Sequence, residues 1–209
     1  KTWQYFLITP KIIDIIFLNN NDKFSLKIKK LYDNINHIHY AVRCDIIRYY
    51  LIYKFGGVYF DIKSNCNISL DKIINNDKIK LFNWCEPNLN FNFKQIFFPR
   101  MQKLYDMEII QWFLAYPKEH YILKILLNNI LINFKNYSNN KNIKQEVFEF
   151  SGPILYSNII YKYLNKSEYE LNKCYFNKLI FNNLNTCHKY YYKNVKHYSL
   201  INEDIIKVK

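Results

Sequence analysis

AVRCDIIRYYLIYKFGGVYFDIKS, residues Ala41 to Ser64, decides how the chain reads. Two of its three glycines, Gly56 and Gly57, stand side by side here. Two of its three arginines, Arg43 and Arg48, flank Asp45. A chain this sparing with Gly and Arg uses them where the backbone or a ligand requires them.

Residues three and four apart share a helix face, so Ala41, Asp45, Arg48 and Ile52 form one stripe, with a carboxylate beside a guanidinium. Gly56 is placed to end that helix in a left-handed turn. Val58, Tyr59, Phe60 and Ile62 suit a short buried strand. Its two-residue period puts Tyr59, Asp61 and Lys63 on one side. Two readings of the pattern stand open. Either a helix face and a strand end converge on a polar ligand, or Asp45 and Arg48 form a surface ion pair of small energetic worth beside an ordinary strand end.

The same residues resemble the core motif of glycosyltransferase family 32, which includes yeast-type initiating mannosyltransferases. A related block occurs in the large clostridial glucosylating toxins. The family pattern runs Ser/Ala-Asp, two apolar residues, Arg-Tyr, then Tyr-x-Gly-Gly-Ile/Val-Tyr, an apolar residue and Asp-x-Asp. Here it stands as Cys44-Asp45-Ile46-Ile47-Arg48-Tyr49 and Tyr53-Lys54-Phe55-Gly56-Gly57-Val58-Tyr59-Phe60-Asp61-Ile62-Lys63. The match covers about two dozen residues without a gap.

One departure matters. The second carboxylate of the family's Asp-x-Asp is Lys63 in this chain. Paired carboxylates help hold a divalent cation against the donor pyrophosphate, because hard cations prefer oxygen ligands. A protonated lysine cannot ligate. Asp61 then holds the metal with other ligands, or Lys63 itself neutralises a phosphate as a point charge, or the site is catalytically dead. The first two are expected jointly.

Bulk properties set the frame. With 209 residues, 50% hydrophobic and 19% aromatic, the chain has enough apolar material for one domain and is not disordered. All but three of the 30 basic residues are lysine, and the net charge is +13. Such a charge suits nucleic acid, an anionic membrane or a nucleotide diphosphate. The richness in Ile, Asn, Lys and Tyr explains it more simply as a coding bias, and no nucleic-acid motif accompanies it. The five cysteines are odd in number and form no Cys-x-x-Cys, which points away from a zinc site and a disulfide scaffold. No apolar run approaches the length of a membrane span, and no signal peptide is visible.

Along the chain, Trp3 to Ile8 reads as a strand, Ile12 to Leu18 as a helix or second strand, and Phe24 to Tyr32 as a helix. His37 and His39 lie in a loop at the entrance to the central helix and receive no role. Asn65 to Asn67 reads as a turn, Asp71 to Ile74 as a short helix, and Leu81 to Trp84 as a strand. Glu86 to Asn92 reads as a loop and Gln95 to Phe98 as a strand. Glu108 to Tyr116 reads as a strand carrying Gln111, followed by a turn with His120 as a helix-start residue and a helix from Tyr121 to Tyr137. Val147 to Phe150 reads as a strand. Ser151-Gly152-Pro153 then starts a helix over Ile154 to Leu164, with Ser151 as its cap.

The resemblance gives these pieces expected roles. It implies an α/β fold, a GT-A-type domain over 1–209 with a mixed, mainly parallel sheet flanked by helices; the family's first strand is either Pro10-Lys11-Ile12-Ile13-Asp14 or, the preferred reading, cut away or absent, with Trp3 to Leu7 as the next strand. It implies a glycosyltransferase that moves a sugar from a nucleotide-sugar to a hydroxyl of a glycan, lipid or protein with retention of configuration. A UDP-sugar donor is expected ahead of a GDP-sugar. The alternative is an inactive nucleotide-sugar-binding protein. Asp45, Arg48 and Asp61 are the expected catalytic residues. The expected donor contacts add Gly56, Gly57, Tyr59, Lys63, Gln111, Ser151, Gly152, His197 and Ser199. Gln111 takes the family's polar strand position facing the sugar, or is a buried side chain bonded to backbone. Ser151 and Gly152 take the place of its Thr-Gly-Pro. Asp61 and His197 are the expected ligands of a divalent cation, Mn2+ or Mg2+, with His188 as the competitor of His197. No nucleic-acid partner and no membrane-spanning segment are expected, and the expected compartment is the cytoplasm.

Overall fold

The computed structural model describes residues 3–62, 64–66, 69–84, 108–138, 143–174, 181–183 and 201–207. Its centre is helix α3, Tyr40–Phe55, in which every residue from Asp45 to Ile52 is buried. A helix buried on all sides carries no amphipathic stripe, which is why apolar and polar residues alternate so irregularly along it. The interior position removes the surface-ion-pair reading of Asp45 and Arg48. Arg43 stacks its guanidinium on the Tyr32 ring, 4.2 Å from the centroid, against the helix before it.

Around α3 lie α1, Pro10–Asn19, and α2, Lys23–Asn34. Thr9 caps α1 with Pro10 at its start, and this local signal makes the following Ile-rich run a helix. Asp22 caps α2, accepting from the Phe24 and Ser25 amides at 3.0 Å, and its other oxygen meets Lys54 Nζ at 2.8 Å. Phe17 of α1 stacks on Tyr50 of α3 with centroids 5.0 Å apart, and the Tyr50 hydroxyl donates to Ser25 Oγ at 2.7 Å. The expected strand at Trp3 to Ile8 is not formed. Residues 3–9 have no regular structure, and Trp3, Tyr5, Phe6 and Leu7 are exposed. No described strand offers this segment a ladder, and a strand without a partner leaves its backbone to water.

At the end of α3, Gly56 has φ 69° and Gly57 φ 92°. The chain turns straight into β1, Gly57–Phe60, which pairs antiparallel with β4, Phe113–Tyr116, in the register Phe60↔Phe113. A Cβ on Gly56 would lie 2.6 Å from the Lys118 amide nitrogen. Nothing lies within 4 Å of the corresponding point at Gly57. The close approach that Gly56 permits is therefore between two chain segments.

β3, Ile79–Trp84, pairs parallel with β5, Tyr169–Cys174. β2, Ser64–Cys66, pairs antiparallel with β6, Phe181–Asn183, in place of the turn expected at Asn65 to Asn67. A short helix α4, Leu70–Ile73, lies between β2 and β3. Buried Lys80 on β3 ties the parallel pair, its Nζ donating to Asn75 and Asn76 at 2.9 Å and to Glu170. The chain is α/β, as expected. In place of a mainly parallel sheet, however, the described strands form three two-stranded pairs, two of them antiparallel.

The rear of the core is helical: α5, Tyr121–Lys135; α6, Ile143–Phe150; and α7, Pro153–Tyr163. His120 starts α5 as expected, its Nδ1 accepting from the Ile122 amide. The strand expected at Val147 to Phe150 is instead the end of α6. A short apolar run fits either state by pattern, and Asn133 takes up the freed helix-end carbonyls of Glu149 and Phe150 at 3.3 and 3.0 Å. The cap of α7 is Gly152, which has no side chain to bond, and Ser151, one residue outside the cap position, turns its hydroxyl to Asp45. Of the strand expected over Glu108 to Tyr116 only β4, Phe113–Tyr116, forms, and the strand expected at Gln95 to Phe98 lies outside the described residues. Gln111 lies in a bend before β4, and 85–107 lies outside the described residues.

The segment 201–207 returns to the entrance of α3. Ile206 bridges Ile35, the Asn36 amide donates to Ile205 O at 2.7 Å, and Tyr137 OH accepts from the Ile205 amide at 3.0 Å. His39 is fully buried there, with Nε2 2.7 Å from Glu203 O. The sequence reading left it solvated in a loop. Its partner lies 164 residues away, a separation no local pattern reveals.

Candidate active site

Three ionisable side chains from two elements meet where α3 passes the end of β1. Asp45 and Arg48, one helical turn apart, come within 3.5 Å (Oδ1 to Nη2). The same Arg48 Nη2 lies 3.3 Å from Asp61 Oδ1. Asp61 is positioned by backbone on both sides. Its amide donates to Trp112 O at 2.9 Å, prolonging the β1–β4 ladder by one residue, and its carbonyl accepts from the Ser64 amide at 2.8 Å. The Gly56–Gly57 turn brings this strand end back alongside the helix it follows.

The burial of the three differs in a way that matters chemically. The side chains of Asp45 and Arg48 are 4% and 7% exposed, and that of Asp61 is 19% exposed. Arg48 is used in several directions: Nε donates to Cys44 O at 3.4 Å, Nη1 donates to Gln111 O at 3.0 Å, and Nη2 forms ion pairs with the two carboxylates. Its guanidinium also lies 5.2 Å from the Tyr59 ring. Asp45 is engaged through both oxygens, since the Ser151 hydroxyl donates to Oδ2 at 2.9 Å. Asp61 Oδ1 accepts a second bond from Tyr59 OH at 2.9 Å. Among the described residues Asp61 Oδ2 has no protein partner, and its side chain is the least buried of the three.

Burial governs the protonation of the cluster. It pushes the Asp45 carboxyl up to about 7, against the pull of Arg48 and the Ser151 hydrogen bond. Burial opposes the Arg48 charge, yet Asp61, Tyr59 and Asp45 together hold its pKa above the ordinary arginine value. Burial, with the neighbouring Asp61 charge, raises the Tyr59 phenol. The site is a fixed cation between two acids, and burial makes the inner acid the harder member of its ion pair with Arg48 to keep charged.

A network behind the cluster escaped the sequence reading. Tyr49, fully buried, donates to Gln111 Oε1 at 2.5 Å and approaches Ser151 O at 3.2 Å. Its ring stacks on Tyr156, whose hydroxyl pairs with that of Tyr116 at 2.6 Å. Tyr49 was visible only as part of Arg-Tyr, and its partners lie 62 and 102 residues away.

Of the expected site residues, the structure brings together Asp45, Arg48, Tyr59, Asp61, Gln111 and Ser151. Gly56 and Gly57 form the turn that sets Asp61, and Gly152 packs against α6, where an added Cβ would meet Phe148 Cα at 2.8 Å. Lys63, His188, His197 and Ser199 lie outside the described residues. The described residues alone do not make a divalent-cation site. Asp61 offers one free oxygen, both oxygens of Asp45 are taken, and no three His, Cys, Asp or Glu residues among those described converge. Among the described residues no helix is long and apolar enough to cross a membrane.

Comparison with known proteins points to the same stretch of sequence. Residues 1–80 match the family model for the glycosyltransferase sugar-binding region containing the DXD motif. That match covers 80 of the chain's 209 residues, the part that holds Asp45, Arg48 and Asp61, and over it the chain is similar to a glycosyltransferase sugar-binding region of the DXD class. A stretch of 32 residues is 44% identical to inositol phosphoceramide mannosyltransferase 3 of Schizosaccharomyces pombe (strain 972 / ATCC 24843). That stretch is 15% of this chain and 9% of the relative, so the match spans a small part of that protein's length. The structure of PaToxG glycosyltransferase superposes with a TM-score of 0.46 at 14% identity, over 69% of this chain and 45% of that one.

Proposed function

We propose that the chain transfers a sugar from a nucleotide-sugar, a UDP-sugar ahead of a GDP-sugar, to a hydroxyl acceptor with retention of anomeric configuration, in a GT-A-type domain. The observation that carries this reading is the meeting of Asp45, Arg48 and Asp61, with one carboxylate oxygen of the least buried acid unengaged among the described residues. A departing nucleoside diphosphate leaves a sugar with cation-like character, and fixed negative charge beside it lowers the barrier. Asp61 Oδ2 supplies that charge or contacts the donor directly. Arg48 keeps the two acids at fixed positions and offsets their mutual repulsion, so its first duty is to them and its contact with the donor is secondary. Tyr59 sets the Asp61 rotamer from the same strand.

A divalent cation, Mn2+ or Mg2+, belongs to this reading through the family resemblance, with Asp61 and His197 as its ligands. Such a cation would neutralise the pyrophosphate of the leaving group. Lys63, with Ser199, is the candidate to share or replace that duty. The acceptor is a glycan, lipid or protein hydroxyl. The second reading, a nucleotide-sugar binder without turnover, is favoured by Lys63 in the place of the second carboxylate.

Release of nucleoside diphosphate from a panel of UDP- and GDP-sugars, with Mn2+ and with EDTA, separates the readings. Release from one donor supports the transferase and names that donor. Release that survives EDTA assigns the phosphate charge to Lys63. Saturable UDP or GDP binding without turnover on any donor would establish the binder instead.

A further inference from the structure

We infer that Ser151 is a positioning residue that holds Asp45 from behind, and that Tyr49 holds Ser151 and Gln111 in turn. The inference rests on the proposed donor role of Asp45, and it departs from the sequence expectation that Ser151 contacts the donor. Ser151 is fully buried and its hydroxyl points at Asp45 Oδ2, 2.9 Å away. A hydroxyl has one proton to donate, and here it goes to the carboxylate. Its place just before α7 would ordinarily make it a helix cap, yet Gly152 takes that position and α7 begins without a side-chain cap. Glycine is itself a favoured N-cap residue, so the Ser151 hydroxyl is released for Asp45 at little cost to α7. That the serine faces away from the helix it precedes is what a demand from Asp45 would produce.

The geometry explains why Asp45 needs a second support. Arg48 reaches Oδ1 at 3.5 Å, a long contact from a group shared with Asp61. Without Ser151 the Asp45 carboxylate has one weak tether and a free χ2, a torsion with broad wells. Tyr49 reaches both ends of the shell, Gln111 Oε1 and Ser151 O. It is fixed by its stack on Tyr156, so the support continues into the core. The charged or titratable groups facing Asp45 are Arg48 and Asp61, with Cys44 and Tyr49 nearby on its own helix.

The test compares the parent protein with Ser151→Ala, Ser151→Thr and Tyr49→Phe. Donor hydrolysis gives kcat and KM, and carbon-13 NMR of labelled aspartate carboxyls follows Asp45, its resonance assigned by loss in Asp45→Asn. Displacing a reacting group by ~1 Å costs about 100-fold in rate, so Ser151→Ala should lower kcat by ~10–100-fold with KM moved less than ~3-fold. Ser151→Thr, which keeps the hydroxyl, should regain most of the loss. In Ser151→Ala the Asp45 carboxyl should titrate at higher pH than in the parent, because the hydrogen bond that favours its charged form is gone. Tyr49→Phe should shift kcat in the same direction by less. Unchanged kcat together with an unmoved Asp45 titration in Ser151→Ala overturns the inference. Should the parent turn over no donor, the proposed function fails by itself, and the Asp45 titration still decides whether Ser151 holds it. If Ser151→Ala does not fold, Ser151→Cys, a weak donor of similar size, must raise the Asp45 titration for the inference to stand.

Discussion

At the scale of single residues, the site is an arginine shared by two acids of unequal burial. Arg48→Ala would leave buried carboxylates without compensation. Breaking one side of a buried ion pair costs about 3–5 kcal/mol, so urea unfolding at pH 8 should show a loss of that order. The loss should shrink toward pH 5, where the buried Asp45 carboxyl takes up a proton instead. Arg48→Lys should recover only part of it, since one ammonium cannot span Cys44 O, Gln111 O and both acids. Asp45 makes a second, signed prediction. Its unfolded carboxyl titrates near 3.9 and its folded one near 7. Below pH 4 both states are protonated and the group contributes nothing. Between pH 4 and 7 the folded state keeps a proton that the unfolded state has lost, so this group's contribution to stability falls as pH rises and levels off above 7. The urea midpoint of Asp45→Asn should therefore change less from pH 5 to 8 than that of the parent. Turnover that needs the charged form of Asp45 should rise through pH 7 in the same interval.

At the scale of elements, the helix–turn–strand block was legible and its surroundings only partly so. The paired glycines marked a chain reversal because no other residue sits comfortably at positive φ, and both glycines do take it. Gly56→Ala should cost about 2–4 kcal/mol, through positive-φ strain and the contact with Lys118. Gly57→Ala, with open space around it, should cost less. A difference of near zero between the two in thermal unfolding would count against this account. The strands at Trp3 to Ile8 and Val147 to Phe150 misled because short apolar runs lack a diagnostic period. Their state is set by what they meet: no described partner strand for the first, helix-ending bonds from Asn133 for the second. The Asp45–Arg48 stripe was visible as spacing, but its depth was not. The packing of α2, α5 and the β1–β4 pair around α3, with Ser151, makes it interior. Ser151 misled for the same reason, since a cap position in sequence became a buried prop for an acid 106 residues earlier.

At the scale of the whole molecule, the chain is closed by contacts between its distant parts. Ile205 is fully buried among residues near the start of α3. Ile205→Ala should cost about 2–5 kcal/mol, read as a lower urea midpoint. Hydrogen exchange should show the entrance of α3, residues 36–43, loosening more than β3 and β5. Equal loosening everywhere would mean that the closure is global and not local. The stitch of 201–207 onto 34–39 also says something about synthesis. Helices α1 to α3 leave the ribosome early and contact one another locally, so they can collapse at once. The entrance of the central helix, however, waits for a segment made some 165 residues later, at ~5–20 residues per second. For roughly ten seconds or more in every copy's life, buried His39 and the apolar ends beneath it stand open to water. Nascent chains stalled short of residue 201 should carry the motif that defines the site and still be recognised by chaperones as unfinished.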